Sequence, residues 1–268
     1  MAAQKYCDFS TILAEPAAGV LWVTLNRPDR LNAMNPAMVA ELRTVFDALL
    51  DDADIRVVML RGAGKHFCAG LDLNDMEAIT ANPESTARTQ RIYSELVMAM
   101  RHCPQPIVAL MNGSAVGAGF AIALAADVRY AAQDARVSVA MAKIGLTGTD
   151  MGISYFLPRA IGTSNAAELM MGGRFADAQK MFRIGLVSDV VEREALEDAG
   201  RKLADEMIAM SPLGLRLTKE GINMAQDAGS LDAVVAVEDR AQVICIGRYM
   251  KEGAAAFKEK RRANYDKL

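Results

Sequence analysis

Apolar positions in this chain follow first one period and then another. Val20 to Leu25 reads as a strand, and Asn35 followed by Pro36 caps a helix on which Val39, Leu42, Phe46 and Leu49 recur at helical spacing. The unit repeats. Arg56 to Leu60 predicts a strand, Glu84 to Arg101 a helix, and Pro106 to Met111 a short buried strand leading into an apolar helix after Gly117. Val128 to Ala131 and Val137 to Val139 predict further short strands. From Met151 onward helices dominate, at Ser164 to Met171, Glu194 to Met210, Pro212 to Ala228 and Leu231 to Tyr249. Alternating strands and helices imply an α/β core with mostly parallel strands, and the late helices imply a cap or an association surface.

Composition narrows the classes. In 268 residues, 52% hydrophobic and 24% charged, with 8 prolines, there is no linker, repeat or low-complexity tract, so a packed globular fold follows. The net charge of −3, without a basic run interleaved with aromatics, argues against nucleic acid as a partner. The run Ala115 to Ala126 is too short to span a bilayer and reads as a buried helix, so no membrane span is expected. Cys7, Cys68, Cys103 and Cys245 form no CxxC pair, and Met1 to Ser10 lacks the apolar stretch of a signal peptide; both point to a cytoplasmic location. The two histidines, His66 and His102, stand in no HxH or HxxxH spacing, so no metal site is expected.

The chemistry concentrates in two glycine turns. In Arg61-Gly-Ala-Gly-Lys-His-Phe-Cys-Ala-Gly-Leu-Asp-Leu73 a strand runs into small residues that let a ligand approach the backbone, and Leu71 would present its N–H. In Asn112-Gly-Ser-Ala-Val-Gly-Ala-Gly-Phe120 glycine and alanine open the apolar helix, so the N–H of Ala118 sits at the positive end of a helix dipole. Each turn could also be plain packing. A Walker A reading ending at Gly64-Lys65 fails, because Met59 and His66 stand where glycine and Ser or Thr are needed. A dinucleotide fingerprint at Gly117-x-Gly119-x-x-Ile122 lacks its third small residue and a following acid.

These residues resemble the crotonase, or enoyl-CoA hydratase/isomerase, superfamily. The resemblance also rests on Leu25-Asn-Arg-Pro-Asp-Arg-Leu-Asn-Ala-Met34, Leu157-Pro-Arg-Ala-Ile-Gly162, Gly185-Leu-Val187 and Ala256-Phe-Lys-Glu-Lys-Arg261. It implies a spiral of ββα units over residues 1–195, and a helical region over 196–268 that packs chains into trimers or dimers of trimers. It implies Leu71 and Ala118 as the oxyanion-hole positions. The coenzyme A channel would involve Arg30, Leu31, Ala33, Ala69, Leu71, Asp72, Leu73 and Ala118, with Phe257 and Lys260 reaching the coenzyme, in some members from a neighbouring subunit. The implied substrate is an acyl-CoA thioester, with coenzyme A entering as part of that substrate and no permanently bound cofactor. Two aimed N–H donors in a water-poor site would stabilise an enolate by several kcal/mol.

The chain departs from the hydratase pattern. The two glutamates that the resemblance leads one to expect are replaced by Ala121 and Met141, neither of which can move a proton. Asp150, in Asp150-Met-Gly-Ile-Ser-Tyr-Phe-Leu-Pro-Arg159, resembles the single aspartate of some family isomerases and of a dehalogenase. It could equally cap a helix beginning at Met151. The leading reading is an enoyl-CoA isomerase using Asp150. The alternatives are a hydratase with an atypical acid, and a coenzyme A thioester-binding protein without turnover. If Asp150 is only a cap, Asp72, Asp75 and Glu77 are the acids to test next.

Overall fold

The protein was analysed as a computed structural model that describes residues 5–6 and 8–265; Cys7 lies outside the described residues. The chain runs β1 (Ile12–Ala17), β2 (Val20–Leu25), α1 (Pro36–Leu49), β3 (Val57–Gly62), α2 (Met76–Ile79), α3 (Pro83–His102), β4 (Ile107–Met111) and β5 (Ser114–Val116). It continues through α4 (Ala118–Ala125), β6 (Val128–Ala132), β7 (Arg136–Ser138), α5 (Ile153–Ile161), α6 (Thr163–Gly172), β8 (Ala176–Asp177), α7 (Ala178–Arg183) and β9 (Asp189–Val191). It closes with α8 (Leu196–Ile208), α9 (Pro212–Asp227) and α10 (Leu231–Glu259).

Two sheets result. The larger has the order β1-β2-β3-β4-β6-β9, with β1 antiparallel to β2 and every other pair parallel. The smaller is β5-β7-β8, and two isolated parallel bridges extend it, Cys68 to Ala115 and Met34 to Leu71. Each pass of the chain therefore lays one strand in the large sheet, then an extended segment at the small sheet, then a helix. The passes are β2, Met34 and α1; β3, Cys68 to Leu71 and α3; β4, β5 and α4; β6, β7 and α5. This is the expected spiral of ββα units.

Local sequence explains the helices. The Asn35 side chain accepts from the Met38 N–H, and Met38, Val39, Leu42, Val45, Phe46 and Leu49 form the buried face of α1. On α3 the buried stripe is Tyr93, Leu96, Val97 and Met100, and it packs against α1. All eight residues of α4 are buried, as a helix apolar on every side requires. Ser114–Val116, inside the second glycine turn, forms a short strand before the helix starts; a buried strand and a buried helix start look alike over three small residues. The last helix extends ten residues beyond the expected Tyr249, to Glu259. Of the C-terminal helices, α8 lies across β3, β4 and β6, whereas α10 packs mainly on α9 and buries only Tyr249 and Ala256. No helix among the described residues is long and apolar enough to cross a membrane.

Candidate active site

Register builds the centre of the site. Cys68 is paired with Ala115, so Leu71 and Ala118 stand three residues beyond partnered positions on neighbouring parallel segments. Each follows a glycine with positive φ, Gly70 at 98° and Gly117 at 53°. Both turns need glycine: a Cβ on Gly70 would lie 2.8 Å from the Val116 carbonyl and 3.6 Å from the Ala118 nitrogen. The same dimensions show how closely the two turns approach. The Gly70 carbonyl accepts from Met34 N–H at 2.7 Å and Asp72 N–H donates to the Met34 carbonyl at 2.9 Å. Because N–H groups alternate in extended chain, the intervening Leu71 N–H points to the other side. Ala118 is the first residue of α4, whose first intrahelical bond is Ala121 N–H to Gly117 O. Among the described residues neither the Leu71 nor the Ala118 N–H donates to another backbone group.

The segments expected to hold coenzyme A run alongside the first turn. Ala69 N–H donates to the Leu31 carbonyl, and the Met34 bonds continue the contact to Asp72. Leu31 and Asn32 are both left-handed, which folds Arg30 to Ala33 into a tight loop. Leu31 and Leu73 are exposed, Leu71 is half-buried, and Ala33 is buried. The Asp72 carboxylate turns away into an ion pair with Arg27 at 2.9 Å, and Arg27 also donates to the Ala33 carbonyl. Burial alone would raise the Asp72 pKa, but the Asn74 N–H, the Arg27 guanidinium and the Asn74 amide outweigh it and hold the group below the usual carboxylate range. Asp72 therefore joins two loops, and it is not a free acid. Fully buried Asn32 has the same office, donating to Ala63 and His66 carbonyls. Both Arg27 and Asn32 lie inside the motif Leu25 to Met34, yet nothing local marks them as braces.

The structure corrects one expectation about Asp150. It does not cap a helix at Met151, since α5 begins at Ile153 with Gly152 as its N-cap residue and no side-chain capping bond. Met151 and Gly152 both take positive φ and turn the chain between Asp150 and the helix. The half-buried Asp150 carboxylate instead accepts a hydrogen bond from Gln90 on α3. One turn further along α3, buried Tyr93 donates to the Met34 carbonyl at 3.3 Å, and Met34 bridges Leu71. A chain of contacts thus joins Asp150 to the first turn. The Tyr93 hydroxyl is kept neutral, its pKa raised by burial and then by Asp75 and Asp72.

Ala121 and Met141 are buried and apolar, so the two positions where the resemblance expects glutamates offer no proton carrier. Cys68 lies beneath the first turn as an inert thiol, its pKa pushed by burial up to about 12. One carboxylate oxygen of Asp75 is buried without a hydrogen-bond partner among the described residues. Phe257 and Lys260 are exposed at the end of α10, and no described hydrogen bond or ion pair links them to either turn.

Comparison with known proteins agrees with this geometry. The family described as Enoyl-CoA hydratase/isomerase matches residues 15–267. A probable enoyl-CoA hydratase of Mycobacterium leprae is 37% identical over 258 residues, covering 93% of this chain and 87% of that protein. The 1,2-epoxyphenylacetyl-CoA isomerase of Escherichia coli is 36% identical over 254 residues, covering 93% and 96%. Among solved structures, a probable enoyl-CoA hydratase/isomerase from Mycobacterium abscessus superposes with a TM-score of 0.89 at 37% identity, covering 95% of this chain and 98% of that one. A spiral of ββα units, paired glycine turns and near full-length similarity lead to one assignment: the chain is an enzyme of the enoyl-CoA hydratase/isomerase family.

Proposed function

We propose that the protein is an enoyl-CoA isomerase that moves a proton between carbons of an acyl-CoA through Asp150. The observation that carries this reading is the matched register of Leu71 and Ala118, whose N–H groups donate to no other backbone group among the described residues, with the Asp150 carboxylate joined to the Leu71 turn through Gln90, Tyr93 and Met34. In a 3-enoyl-CoA the Asp150 carboxylate takes a proton from C2. The C2–H pair forms the C1=C2 bond, and the carbonyl pair moves onto oxygen, where the two N–H donors stabilise it. Collapse of the oxyanion makes the C2=C3 bond while the former C3=C4 pair takes the proton from Asp150 at C4. One carboxylate suffices, and no oxidant or second base is consumed.

The coenzyme would lie along Arg30 to Ala33 and Ala69 to Leu73. Phe257 and Lys260 would act on a neighbouring subunit's ligand, which fits their exposure at the end of a barely buried helix. A second reading, hydration with an atypical acid, is favoured by the unpartnered buried oxygen of Asp75, which could supply a second carboxylate.

A panel of 2- and 3-enoyl-CoAs tests the proposal. The expected result is conversion of trans-3-hexenoyl-CoA to the 2-enoyl product, with little 3-hydroxyacyl-CoA. Dominant 3-hydroxyacyl-CoA would favour hydration. Calorimetric binding of acyl-CoA without any turnover would leave only a binding protein.

A further inference from the structure

The contact between Asp150 and Gln90 is the one hydrogen bond that reaches the carboxylate from another element of the chain among the described residues. Gln90 has no helical duty at this point: it lies within α3, is exposed, and makes no other described side-chain bond. An ionised carboxylate only accepts, so the Gln90 amide must present its NH2 group to it. The loop from Leu146 to Asp150 is mostly exposed, and behind it Met151 and Gly152 are both left-handed. Among the described residues no hydrogen bond from that loop reaches the Asp150 carboxylate, whereas α3 is pinned by Tyr93 and Val97 in the core.

The spacing along α3 gives the contact its purpose. Gln90 and Tyr93 are three residues apart and so share a helix face, and Val97 continues it. Tyr93 holds the Met34 carbonyl beside the first turn, and Val97 lies 3.5 Å from the Cβ position of Gly152, next to the Asp150 loop. One helix face therefore touches both the oxyanion side and the acid side of the site. From this juxtaposition we infer that Gln90 is a positioning residue, which orients the Asp150 carboxylate for proton transfer and fixes its distance from the oxyanion turn. The inference rests on the reading of Asp150 as the proton carrier.

Steady-state kinetics and isotope measurements on trans-3-hexenoyl-CoA, with Gln90→Leu, Gln90→Glu and Asp150→Asn beside wild type, test it. Gln90→Glu keeps the length and shape of the side chain and removes the donor. Both Gln90 variants should lose kcat roughly 10- to 100-fold, as misplacement of a reacting group does. KM and the melting temperature should stay near wild type. The kinetic isotope effect with substrate deuterated at C2 should grow, because proton transfer becomes rate-limiting. A structural role for Gln90 would lower the melting temperature and leave the isotope effect unchanged, which would overturn the inference. So would wild-type kcat in Gln90→Leu while Asp150→Asn is inactive; the reading of Asp150 would then survive alone. An active Asp150→Asn enzyme, or a wild type without turnover, would remove that reading and this inference with it.

Discussion

At the scale of single residues, the site depends on a few atoms whose loss separates chemistry from stability. Asp150→Asn should nearly abolish isomerisation with coenzyme A affinity unchanged, because asparagine cannot carry the proton. Asp150→Ala should do the same without the 0.5 to 2 kcal/mol roughly expected from a lost helix cap, since Gly152 occupies the cap position. Thermal melts of the two variants check this. Ala118→Pro should delete one oxyanion donor and cost about 2.7 to 4 kcal/mol of transition-state stabilisation. Proline is accepted at the first position of a helix, so kcat should fall further than ligand affinity. The Asp72 pKa is depressed in the fold, so its pairing stabilises the protein above the ordinary aspartate range and is lost as pH falls through and below that range. Removing Asp72 should accordingly flatten the acid limb of a stability-against-pH curve.

At the scale of elements, two cations, partly buried Arg27 and buried Lys219, decide how loops and helices meet. Arg27 joins the loop before α1 to the first turn through Asp72 and the Ala33 carbonyl. Arg27→Met would leave the buried Asp72 carboxylate with only its Asn74 hydrogen bonds, a destabilisation measurable by urea denaturation. Lys219, 5% exposed on α9, donates to Asp127 at 2.8 Å and to the Gln105 and Met100 carbonyls, closing the C-terminal end of α3 against α9. Its replacement by methionine should loosen α9 more than the sheets. Hydrogen exchange would show this as faster exchange in α9, with protection in β2, β3 and β4 retained.

At the scale of the whole molecule, the C-terminal helices have more apolar surface than one chain covers. On α10, Val243 is 69% exposed, Met250 59% and Phe257 85%. A cavity of about 560 Å³ stays open between α9, α10 and the end of α3, with Met224, Val234 and Val237 in its lining. Contiguous apolar surface of this kind marks an association site. Light scattering should therefore return a trimer or a multiple of three at micromolar concentration. Val243→Glu together with Met250→Glu should shift the mass downward and weaken coenzyme A binding, if Phe257 and Lys260 serve a neighbouring site. A monomeric wild type would overturn the assembly.

Much of this was readable before any coordinates. The sequence located α1, α3 and α9 within a residue or two: α1 and α3 each bury a continuous stripe and carry an Asn cap, and α9 is opened by Pro212. The two glycine turns and the missing glutamates were equally legible, because both are statements about residue type at fixed spacing along one chain. The alignment of Leu71 with Ala118 was not legible, since register between segments forty-seven residues apart belongs to the sheet. Neither was the function of Asp72, Arg27 or Asn32, whose charges and amides act across loops. Asp150 shows the limit most clearly: its sequence neighbours suggest a cap, and only the left-handed turn at Met151 and Gly152 and the arrival of Gln90 from α3 direct its side chain elsewhere. Local periodicity determines what each segment becomes, whereas partners distant in sequence are chosen by packing, which no local pattern encodes.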